Sequence, residues 1–380
     1  MNNKTILHLN SYYIDNHLYS QLYSKLDASV KQKVYIPIKL NRNPENVIDY
    51  HQTELVFDKI IKPAHKFNYF GKINHLYKEL VAKGLPKGVD YVHAHNLFTD
   101  GALANKLHKS HKLPYVVAVR TTDINLQYKY MYHRRPGINR VLLNAEKIIF
   151  ISPIYRDKLF AMMPKSLADT LAAKSVIIPN GIHDNWLKNR FVERDFSNSS
   201  QIKLLYVGQI MNRKNIKALL DAVDLLNKRE GKTYSLTVIG GDNPYEPEYY
   251  QEFLQKVEEH EWLHYKGKIK DTSKLIEEYR SCDIFTMPSK QELFGLVYIE
   301  ALSQGLPIIY SKGEGIDGFF EEFPVGLAVD PDNQESIADG IDKVANTQFK
   351  NLNQVIDRFD WNKIVCLLYT SDAADDLLCV

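Results

Sequence analysis

Two glutamates in one short stretch have the residue type and the spacing to bind a sugar or a nucleotide. Glu292 and Glu300 lie eight residues apart in MPSKQELFGLVYIEALSQGLPIIY (287–310). The pattern predicts Glu292 in a loop after a strand, and Glu300 on a helix that starts near Phe294 and Gly295. A glycine at a helix start lets a ligand approach backbone N–H groups, which attract phosphate, and carboxylates accept hydrogen bonds from hydroxyls. On spacing alone, two surface glutamates on an ordinary strand–loop–helix unit remain the simpler interpretation.

Short β-branched segments alternate with longer amphipathic segments along the whole chain of 380 residues. A chain of this length exceeds one ordinary core, so two domains are expected. Strand–helix alternation is typical of parallel sheets built from right-handed βαβ units. The predicted strands are 4–10, 34–40, 91–95, 115–121, 147–152, 175–181, 203–210, 235–241, 263–269, 283–289, 307–313 and 326–332. The predicted helices include 18–26, 73–83, 100–108, 215–229, 247–261, 272–281, 294–304 and 333–345.

These two series of elements predict an α/β fold with two Rossmann-like, doubly wound parallel-sheet domains. We assign residues 1–187 to the first domain, residues 203–365 to the second, and the polar stretch 188–202 to a linker. Ligands in such sheets bind beyond the carboxyl ends of the strands. Two sheets that face each other would place a cleft between the domains, and we expect the chemistry there.

Composition excludes several classes of protein. Hydrophobic residues make up 44% and charged residues 25% of the chain, which is typical of a globular protein rather than a disordered one. No run reaches the roughly 18 apolar residues of a membrane span, and the first residues lack the apolar segment of a signal peptide. We therefore expect a cytoplasmic protein. The three cysteines, Cys282, Cys366 and Cys379, are too few for a disulfide framework or a cysteine-rich metal site.

The stretch around the two glutamates resembles the Glu-x7-Glu signature of retaining, nucleotide-sugar-dependent glycosyltransferases of family four, which have the GT-B fold. The resemblance covers residues 1–365 and is strongest over 203–346. The segments that carry it in the second half are LLYVGQIMNRKNIKALLDAVDLL (204–226), LTVIGG (236–241), YKGKI (265–269) and YRSCDIFTMPS (279–289). Those in the first half are DYVHAHN (90–96), LPYVVAVRTTDIN (113–125), IIFISP (148–153) and IIPNGI (177–182).

The resemblance implies a role for each residue of the glutamate stretch. Glu292 would lie beside the donor sugar and, with the backbone of Phe294 and Gly295, would fix its hydroxyls. Glu300 would hold the ribose hydroxyls of the nucleotide. The reaction implied is transfer of a sugar from a nucleoside diphosphate sugar to an acceptor hydroxyl, with retention at the anomeric carbon.

A lysine is implied at the diphosphate. Lys214 lies six residues after Gly208, where the family places a lysine that contacts this group. Cleavage of the anomeric C–O bond leaves negative charge on the diphosphate, and that charge must be stabilised. Lys214 and a helix N-terminus would do this without a metal ion, so we predict neither a metal nor a cofactor. A solvated lysine at a helix start is the alternative interpretation.

The sequence departs from the family pattern on the diphosphate side. The family usually has an arginine directly after Gly208, but this chain has Gln209, a neutral donor. Arg213, beside Lys214, is a candidate to replace the missing arginine. This departure keeps open a non-catalytic sugar-nucleotide-binding subunit as an alternative function; a GT-B sugar-nucleotide epimerase or hydrolase is another.

The first half departs from the pattern as well. The family's His-Gly-x-Asp after the fourth strand is replaced here by a segment that runs from Arg120 to Asp123, and the family's Gly-Gly loop is replaced by residues 10–13. An arginine stays protonated and cannot act as a base, so we expect Arg120 to bind an anionic acceptor group or the diphosphate. Asp123 and Asn180 are further candidates for substrate binding, although Asn180 fits a plain turn equally well.

Histidines near the ends of two strands are candidates that we interpret conservatively. His93 and His95 flank one alanine, and we expect their rings to point to opposite faces of the strand. His8 is expected to be structural. The spacings HxH (His93 and His95) and HKSH (108–111) each lack a third ligand, so we predict no metal site.

Charge is unevenly distributed between the two halves. Residues 1–190 carry 28 basic and 14 acidic residues, a net of +14, whereas residues 191–380 carry 20 and 32, a net of −12. The basic half suggests an anionic partner. No nucleic-acid-binding module is visible, and the resemblance favours a saccharide or lipid-linked acceptor at an anionic membrane surface. The amphipathic stretch 66–78 is the candidate contact, and a solvated basic face is the alternative.

The setting implied is bacterial cell-surface polysaccharide synthesis, with the protein peripheral on the inner face of the cytoplasmic membrane.

The last fifteen residues, CLLYTSDAADDLLCV (366–380), are not expected to be native. Cys366 to Asp376 resembles read-through translation of a sequencing adapter, so we exclude 366–380 from the fold and expect a different native C-terminus. A genuine terminal segment is the alternative. In the GT-B fold the last helix returns to the first domain, and residues 359–363 match its start. We therefore expect residues beyond about 366 to pack poorly on that domain.

Overall fold

A computed structural model describes residues 4–15, 18–192 and 195–369. The chain divides into two compact units. Unit 1 contains the chain up to Ile151, the segment Tyr155–Asn180 and the chain from Trp361 onward. Unit 2 contains Ser152–Ile154 and Gly181–Asp360.

Thirteen strands and thirteen α-helices, besides short 3-10 and π-helical segments, are found in the described part of the two units. The strands are β1 (Thr5–Leu9), β2 (Lys31–Lys39), β3 (Thr53–Ile61), β4 (Tyr91–Ala94), β5 (Tyr115–Val119), β6 (Lys147–Phe150), β7 (Ser175–Ile177), β8 (Gln201–Val207), β9 (Thr233–Ile239), β10 (Leu263–Tyr265), β11 (Ile284–Thr286), β12 (Ile308–Ser311) and β13 (Gly326–Val329). The helices are α1 (Leu18–Leu26), α2 (Tyr69–Ala82), α3 (Asp100–His111), α4 (Arg135–Asn144), α5 (Pro153–Phe160), α6 (Lys165–Ala172), α7 (Asp184–Lys188), α8 (Ile216–Asn227), α9 (Pro247–Glu259), α10 (Thr272–Ser281), α11 (Leu296–Ser303), α12 (Gln334–Ala345) and α13 (Trp361–Tyr369).

Each unit is built on one parallel sheet. The strand order is β3-β2-β1-β4-β5-β6-β7 in unit 1 and β10-β9-β8-β11-β12-β13 in unit 2. The order reverses between β1 and β4 in the first sheet and between β8 and β11 in the second. Such reversals open crevices at the carboxyl ends of the strands, where ligands bind in folds of this kind. The predicted α/β fold with two doubly wound parallel sheets is confirmed.

Central strands and amphipathic helices account for the cores. All five residues of β5, YVVAV, are buried, as expected for a parallel strand covered on both faces. In α8, the buried Ile216, Leu219, Leu220 and Val223 recur at helical spacing and face the sheet. β3 was not among the predicted strands. It lies at the sheet edge and is mostly half-buried or exposed, so it lacks a strong apolar pattern.

The boundary between the units falls earlier than the linker assigned from the sequence. The division lies between Asn180 and Gly181, α7 already belongs to unit 2, and β8 begins at Gln201. The described residues of 188–202 are mostly exposed and belong to unit 2, so their polar composition does not mark the division itself.

The last helix packs on unit 1, as the sequence predicts. Trp361 is buried, and its indole Nε1 donates to Gln21 Oε1 on α1 at 3.0 Å. Ile364 is buried in the same core, and Val365 and Leu368 pack against it. The expected loss of packing therefore does not begin at residue 366, because α13 continues with the same apolar period. Residues 370–380 of the predicted non-native tail lie outside the described residues.

Candidate functional site

The segments that follow β8 and β11, together with helix α11, carry the predicted site residues of unit 2. β8 and β11 are neighbours at the point where the strand order reverses. The loops after β8 and β9 approach so closely that a Cβ on Gly240 would lie 1.8 Å from the carbonyl oxygen of Gly208. Only glycine fits at Gly240, which fixes the shape of this edge.

Glu292 is buried in the loop between β11 and α11, as predicted. It is 6% exposed, and one oxygen, Oε2, forms an ion pair with the Lys214 ammonium group. The backbone N–H of Leu293 donates to the other oxygen, Oε1, at 3.1 Å. The Glu292 carboxylate is therefore held in one orientation by a cation and by its own loop.

The Lys214 side chain is 12% exposed, so it is not the solvated lysine of the alternative interpretation. It lies on the 3-10 turn Asn212–Lys214 before α8. Arg213, its neighbour, donates from Nη1 to the carbonyl oxygen of Gln291 at 3.1 Å. Lys290 N–H donates back to the carbonyl oxygen of Arg213 at 2.9 Å. The structure thus brings both predicted diphosphate ligands to the loop that contains Glu292.

Gly295 takes a backbone conformation that requires glycine. Its φ is +82°, at the N-terminus of α11, and a Cβ there would lie 2.4 Å from the ring of Tyr298. Tyr298 is buried, and its hydroxyl donates to the carbonyl oxygen of Met287 at 2.5 Å. Phe294, in contrast, points its ring into the core against Phe319, so only its backbone is available to a ligand.

Glu300 lies on α11, where the sequence predicts it. The hydroxyl of Tyr279 donates to its Oε2 at 3.3 Å. Burial raises the pKa of Glu300 to about 7, although the bond from Tyr279 opposes this shift. At neutral pH this carboxyl therefore exchanges between a protonated and a charged form.

Gln209, which stands where the family usually has an arginine, makes hydrogen bonds to neighbouring segments. Its side-chain amide donates to the carbonyl oxygen of Asp242 at 3.0 Å, and its own carbonyl oxygen accepts from the Tyr206 hydroxyl at 3.1 Å. Gln209 therefore ties the loop after β8 to the loop after β9.

Two residues of this region were missed by sequence reasoning. Asn215 is buried with φ of +60°, and its amide donates to the carbonyl oxygens of Pro288 and Pro331 at 3.0 and 2.6 Å. Glu314 accepts from the backbone N–H of Glu292 at 3.3 Å. Asparagine tolerates the left-handed conformation, which is a weak signal for Asn215, but no local signal points to Glu314.

Arg120, Asp123 and Asn180 belong to unit 1, and they lie near the carboxyl ends of its strands. Arg120 donates from Nε to the carbonyl oxygen of His95 at 2.9 Å. Asp123 accepts from the Arg120 and Leu97 N–H groups at 2.8 and 3.0 Å, and burial raises its pKa to about 6. Arg120, His95 and Asn180 line a cavity of about 30 Å³, the size of one water molecule.

Asp100, which sequence reasoning missed, is a second buried carboxyl of unit 1. Both of its oxygens accept from the Ser11 N–H, at 3.3 and 3.2 Å, and Asn96 donates to one of them. Burial raises the pKa of Asp100 to about 8, so this group is mostly protonated at neutral pH.

The expectation that His93 and His95 face opposite sides of the chain is wrong. Residues two apart along a strand share a face, and these two rings stack with centroids 4.0 Å apart. His8 on β1 pairs in register with His93, so the histidine that we expected to be structural lies beside the other two. Ring nitrogens of the three buried residues lie within 4.8 Å of one another.

Ring geometry opposes a metal ion shared by these histidines. A metal lies in the plane of each imidazole that binds it, and two stacked rings do not aim their nitrogens at one point. Burial and the nearby Arg120 guanidinium keep the pKa of His95 well below its usual value. Its Nε2 instead hydrogen-bonds His8 Nδ1 and the Tyr23 hydroxyl, each at 3.1 Å. We interpret the cluster as neutral and hydrogen-bonded.

Comparison with known proteins matches the second half of the chain to a family. Residues 188–358 match the family model of glycosyl transferases group 1. These residues lie within unit 2 and include Gly208, Lys214, Glu292 and Glu300.

Curated relatives extend the similarity over both halves. An uncharacterised glycosyltransferase of Methanocaldococcus jannaschii is 22% identical over 73% of this chain and 74% of its own. A protein of Bacillus subtilis named as a teichuronic acid biosynthesis glycosyltransferase, TuaC, is 22% identical over 68% of this chain and 62% of its own.

Solved structures show the fold. The sucrose-phosphate synthase of Thermosynechococcus elongatus superposes with a TM-score of 0.71 at 20% identity, over 96% of this chain and 97% of its own. HepE of Anabaena, solved with UDP and glucose, superposes with a TM-score of 0.63 at 15% identity, over 99% and 100%. The two parallel-sheet units thus have the GT-B fold of glycosyltransferases. Within the described residues, no helix is long and apolar enough to cross a membrane.

Proposed function

We propose that this protein is a retaining glycosyltransferase that moves a sugar from a nucleoside diphosphate sugar to an acceptor hydroxyl. The observation that carries the proposal is the buried ion pair of Lys214 and Glu292, where the strand order of unit 2 reverses. The pair consists of an ammonium group and a carboxylate, a group that can accept hydrogen bonds from hydroxyls, in the loop that leads to the Gly295 turn. HepE is a structural neighbour solved with UDP and glucose, which supports a nucleotide-sugar donor here.

The donor would be held by groups with separate tasks. The diphosphate would contact Lys214 and Arg213, and the backbone N–H groups after Gly295 would add positive potential at the start of α11. Glu292 would accept from the sugar hydroxyls, and Glu300 from the ribose hydroxyls. When the anomeric C–O bond breaks, its electron pair stays on the diphosphate, and the fixed cations stabilise this charge. We propose that no metal ion or cofactor takes part.

The acceptor would bind on unit 1. Arg120, Asp123 and Asn180 lie at the carboxyl ends of its strands, and a guanidinium suits an anionic acceptor group. We propose a saccharide or lipid-linked acceptor in bacterial cell-surface polysaccharide synthesis. The similarity to TuaC, named for teichuronic acid biosynthesis, supports this setting. The basic charge of residues 1–190 supports contact with an anionic membrane surface, where each basic residue contributes about 1 kcal/mol.

A non-catalytic nucleotide-sugar-binding subunit is the second candidate. Gln209 favours this candidate, because its side chain is neutral where the family usually has a charged arginine. Its amide donates to the carbonyl oxygen of Asp242. Lys214 and Arg213 still supply two cations, which is why we prefer the transferase.

Donor turnover distinguishes the two functions. We expect the protein to release nucleoside diphosphate from one or more nucleoside diphosphate sugars, and to do so equally well in EDTA. Isothermal titration with the same nucleotides is the control for binding. Saturable binding with no turnover on any donor would favour the binding subunit. Loss of turnover in EDTA that manganese restores would contradict the metal-independent reaction.

A further inference from the structure

A groove on unit 1 takes no part in the proposed transfer. It has a volume of about 460 Å³ and lies between α2, α3 and α4, within the roughly 300–1,000 Å³ of ligand pockets. Its deepest side chains are the buried Ile73, Ile138 and Val141, and the aromatic rings of Tyr69, Phe70 and Tyr77 line it as well. An apolar interior of this size suits a hydrocarbon chain.

Positive charges border the same groove. Lys106, Lys109 and Arg134 are among its lining residues, whereas none of its described lining residues is acidic. The Lys106 ammonium lies 4.8 Å from the Tyr77 ring centroid, and the Arg134 guanidinium lies 4.4 Å from that of Tyr69. The aromatic walls thus hold the cations at the rim, where they would meet an anionic headgroup.

Exposed aromatic side chains continue this surface along the chain. Phe70 is 63% exposed in the groove wall, and Phe67, just before α2, is 87% exposed. Tyr130 and Tyr132, which precede Arg134, are also mostly exposed. Lys66 and Lys129 lie over the neighbouring rings of Phe67 and Tyr130. Aromatic and basic groups side by side are typical of surfaces that lie in a membrane interface.

We propose that this groove binds one hydrocarbon chain of an anionic membrane lipid, with the lipid phosphate on Lys106, Lys109 and Arg134. The inference rests on the proposed contact of unit 1 with an anionic surface, and it adds a defined lipid site to a contact otherwise set by charge. A second copy of the protein fits less well, because a twofold interface would bring the same cations face to face. A nucleic acid would find phosphate contacts at the rim, but the buried side chains at the bottom of the groove, Ile73, Ile138 and Val141, offer no hydrogen bond to a base or a sugar.

Gly137 on α4 allows the groove to be filled without changing any charge. It lines the groove and is exposed, and a Cβ there would meet nothing within 4 Å. Gly137→Trp should therefore place an indole in the groove, and Gly137→Ala is the matched control. The double variant Lys106→Gln/Lys109→Gln tests whether the cations at the rim bind the phosphate. Lys4→Gln with Lys165→Gln, in exposed positions outside the groove, removes the same charge.

Dodecyl phosphate, below its micelle concentration, is the probe for the site. We expect it to bind wild type and Gly137→Ala alike, and Gly137→Trp at least about tenfold more weakly. The Lys106/Lys109 variant should lose more affinity than the Lys4/Lys165 variant. Melting temperatures check that each variant is folded. Equal binding by Gly137→Trp and Gly137→Ala, displacement by inorganic phosphate at equal concentration, or equal affinity for neutral dodecyl maltoside would each overturn the proposal.

Binding to vesicles distinguishes the proposed lipid site from the proposed electrostatic contact of unit 1 with an anionic membrane. On phosphatidylglycerol vesicles at high salt, where charges are screened, wild type should keep a bound fraction that Gly137→Trp loses. If neither protein binds anionic vesicles even at low salt, the membrane contact itself is wrong. Donor turnover should stay unchanged in Gly137→Trp, so a failure of the lipid site leaves the transferase proposal intact.

Discussion

At the scale of single residues, the candidate site depends on two carboxyl groups in different electrostatic environments. Glu292 has a cation beside it, and its charge is thereby compensated. Glu300 accepts a hydrogen bond from the Tyr279 hydroxyl, and burial moves its pKa to about 7. Glu300 is therefore the carboxyl group of this motif whose charge we expect to change near neutral pH.

Glu300 makes nucleotide binding pH-dependent. Its folded pKa lies above the usual value of about 4.3, so between these values the folded protein holds a proton that the unfolded chain lacks. Its contribution to stability is present at low pH and is lost as pH rises toward 7. The charged form is the better acceptor for ribose hydroxyls. We therefore expect nucleoside affinity to rise by up to about tenfold from pH 6 to pH 8.

Calorimetry with a nucleoside, which carries no phosphate that titrates, checks this prediction. Glu300→Gln is the matched variant, since it keeps the shape of the side chain and cannot ionise. It should show weaker binding with no change over the same pH range. A wild-type affinity that is flat between pH 6 and pH 8 would move Glu300 out of the ribose site.

At the scale of elements, the shape of the site depends on the turn before α11. Gly295→Ala would put a Cβ at φ +82° and 2.4 Å from the Tyr298 ring. Such strain costs of order 1–3 kcal/mol, so we expect a loss of that size in the free energy of unfolding. Urea denaturation measures it. Gly137→Ala, in open space on α4, should be neutral or stabilise by about 0.4–1 kcal/mol. A Gly295→Ala variant as stable as wild type would contradict the strained turn.

The sequence predicted most elements because their apolar periods are strong. The period of α8 and the buried run of β5 are visible without any tertiary information. β3 was not predicted because it is an edge strand. Such a strand does not have to be buried on both faces, so its sequence lacks a continuous apolar run. The contact of Lys214 with Glu292 spans 78 residues and exists because β8 and β11 are neighbours in the sheet. Strand order is a tertiary property that the sequence does not show. The expected roles of Lys214 and Glu292 therefore rest on the family resemblance, and their contact is visible only in the structure.

The histidine cluster was not predicted because His93 and His95 were assigned to opposite faces of the strand. Once His93 and His95 are assigned to one face, the parallel pairing of β1 with β4 brings His8 beside them. No sequence motif joins His8 to the other two. The buried Asp100 is similar, since its acidity depends on a burial that its polar neighbours in the sequence do not suggest.

At the scale of the whole molecule, the two units carry different chemistry. Unit 2 contains the proposed donor ligands, and unit 1 contains Arg120, Asp123 and the basic groove. Charge differs in the same sense, because residues 1–190, most of which belong to unit 1, carry a net +14, and residues 191–380, most of which belong to unit 2, carry a net −12. Helix α13, Trp361–Tyr369, returns the described end of the chain to unit 1. The account therefore predicts that changes in unit 2 alter donor use and changes in the groove alter membrane binding.

The transfer activity of Glu292→Gln is the most direct test of whether the Glu292 carboxylate takes part in sugar transfer. Removing one member of a buried ion pair costs about 3–5 kcal/mol of stability, so the variant is compared with Glu292→Gln/Lys214→Met, which also removes the stranded cation. Melting temperatures identify conditions in which each protein is folded. The account predicts that folded Glu292→Gln still binds nucleoside diphosphate but transfers sugar at least about tenfold more slowly, because a charged hydrogen-bond acceptor is lost. Transfer within about threefold of wild type would contradict it, because a change of less than 1 kcal/mol would leave Glu292 no role in the reaction.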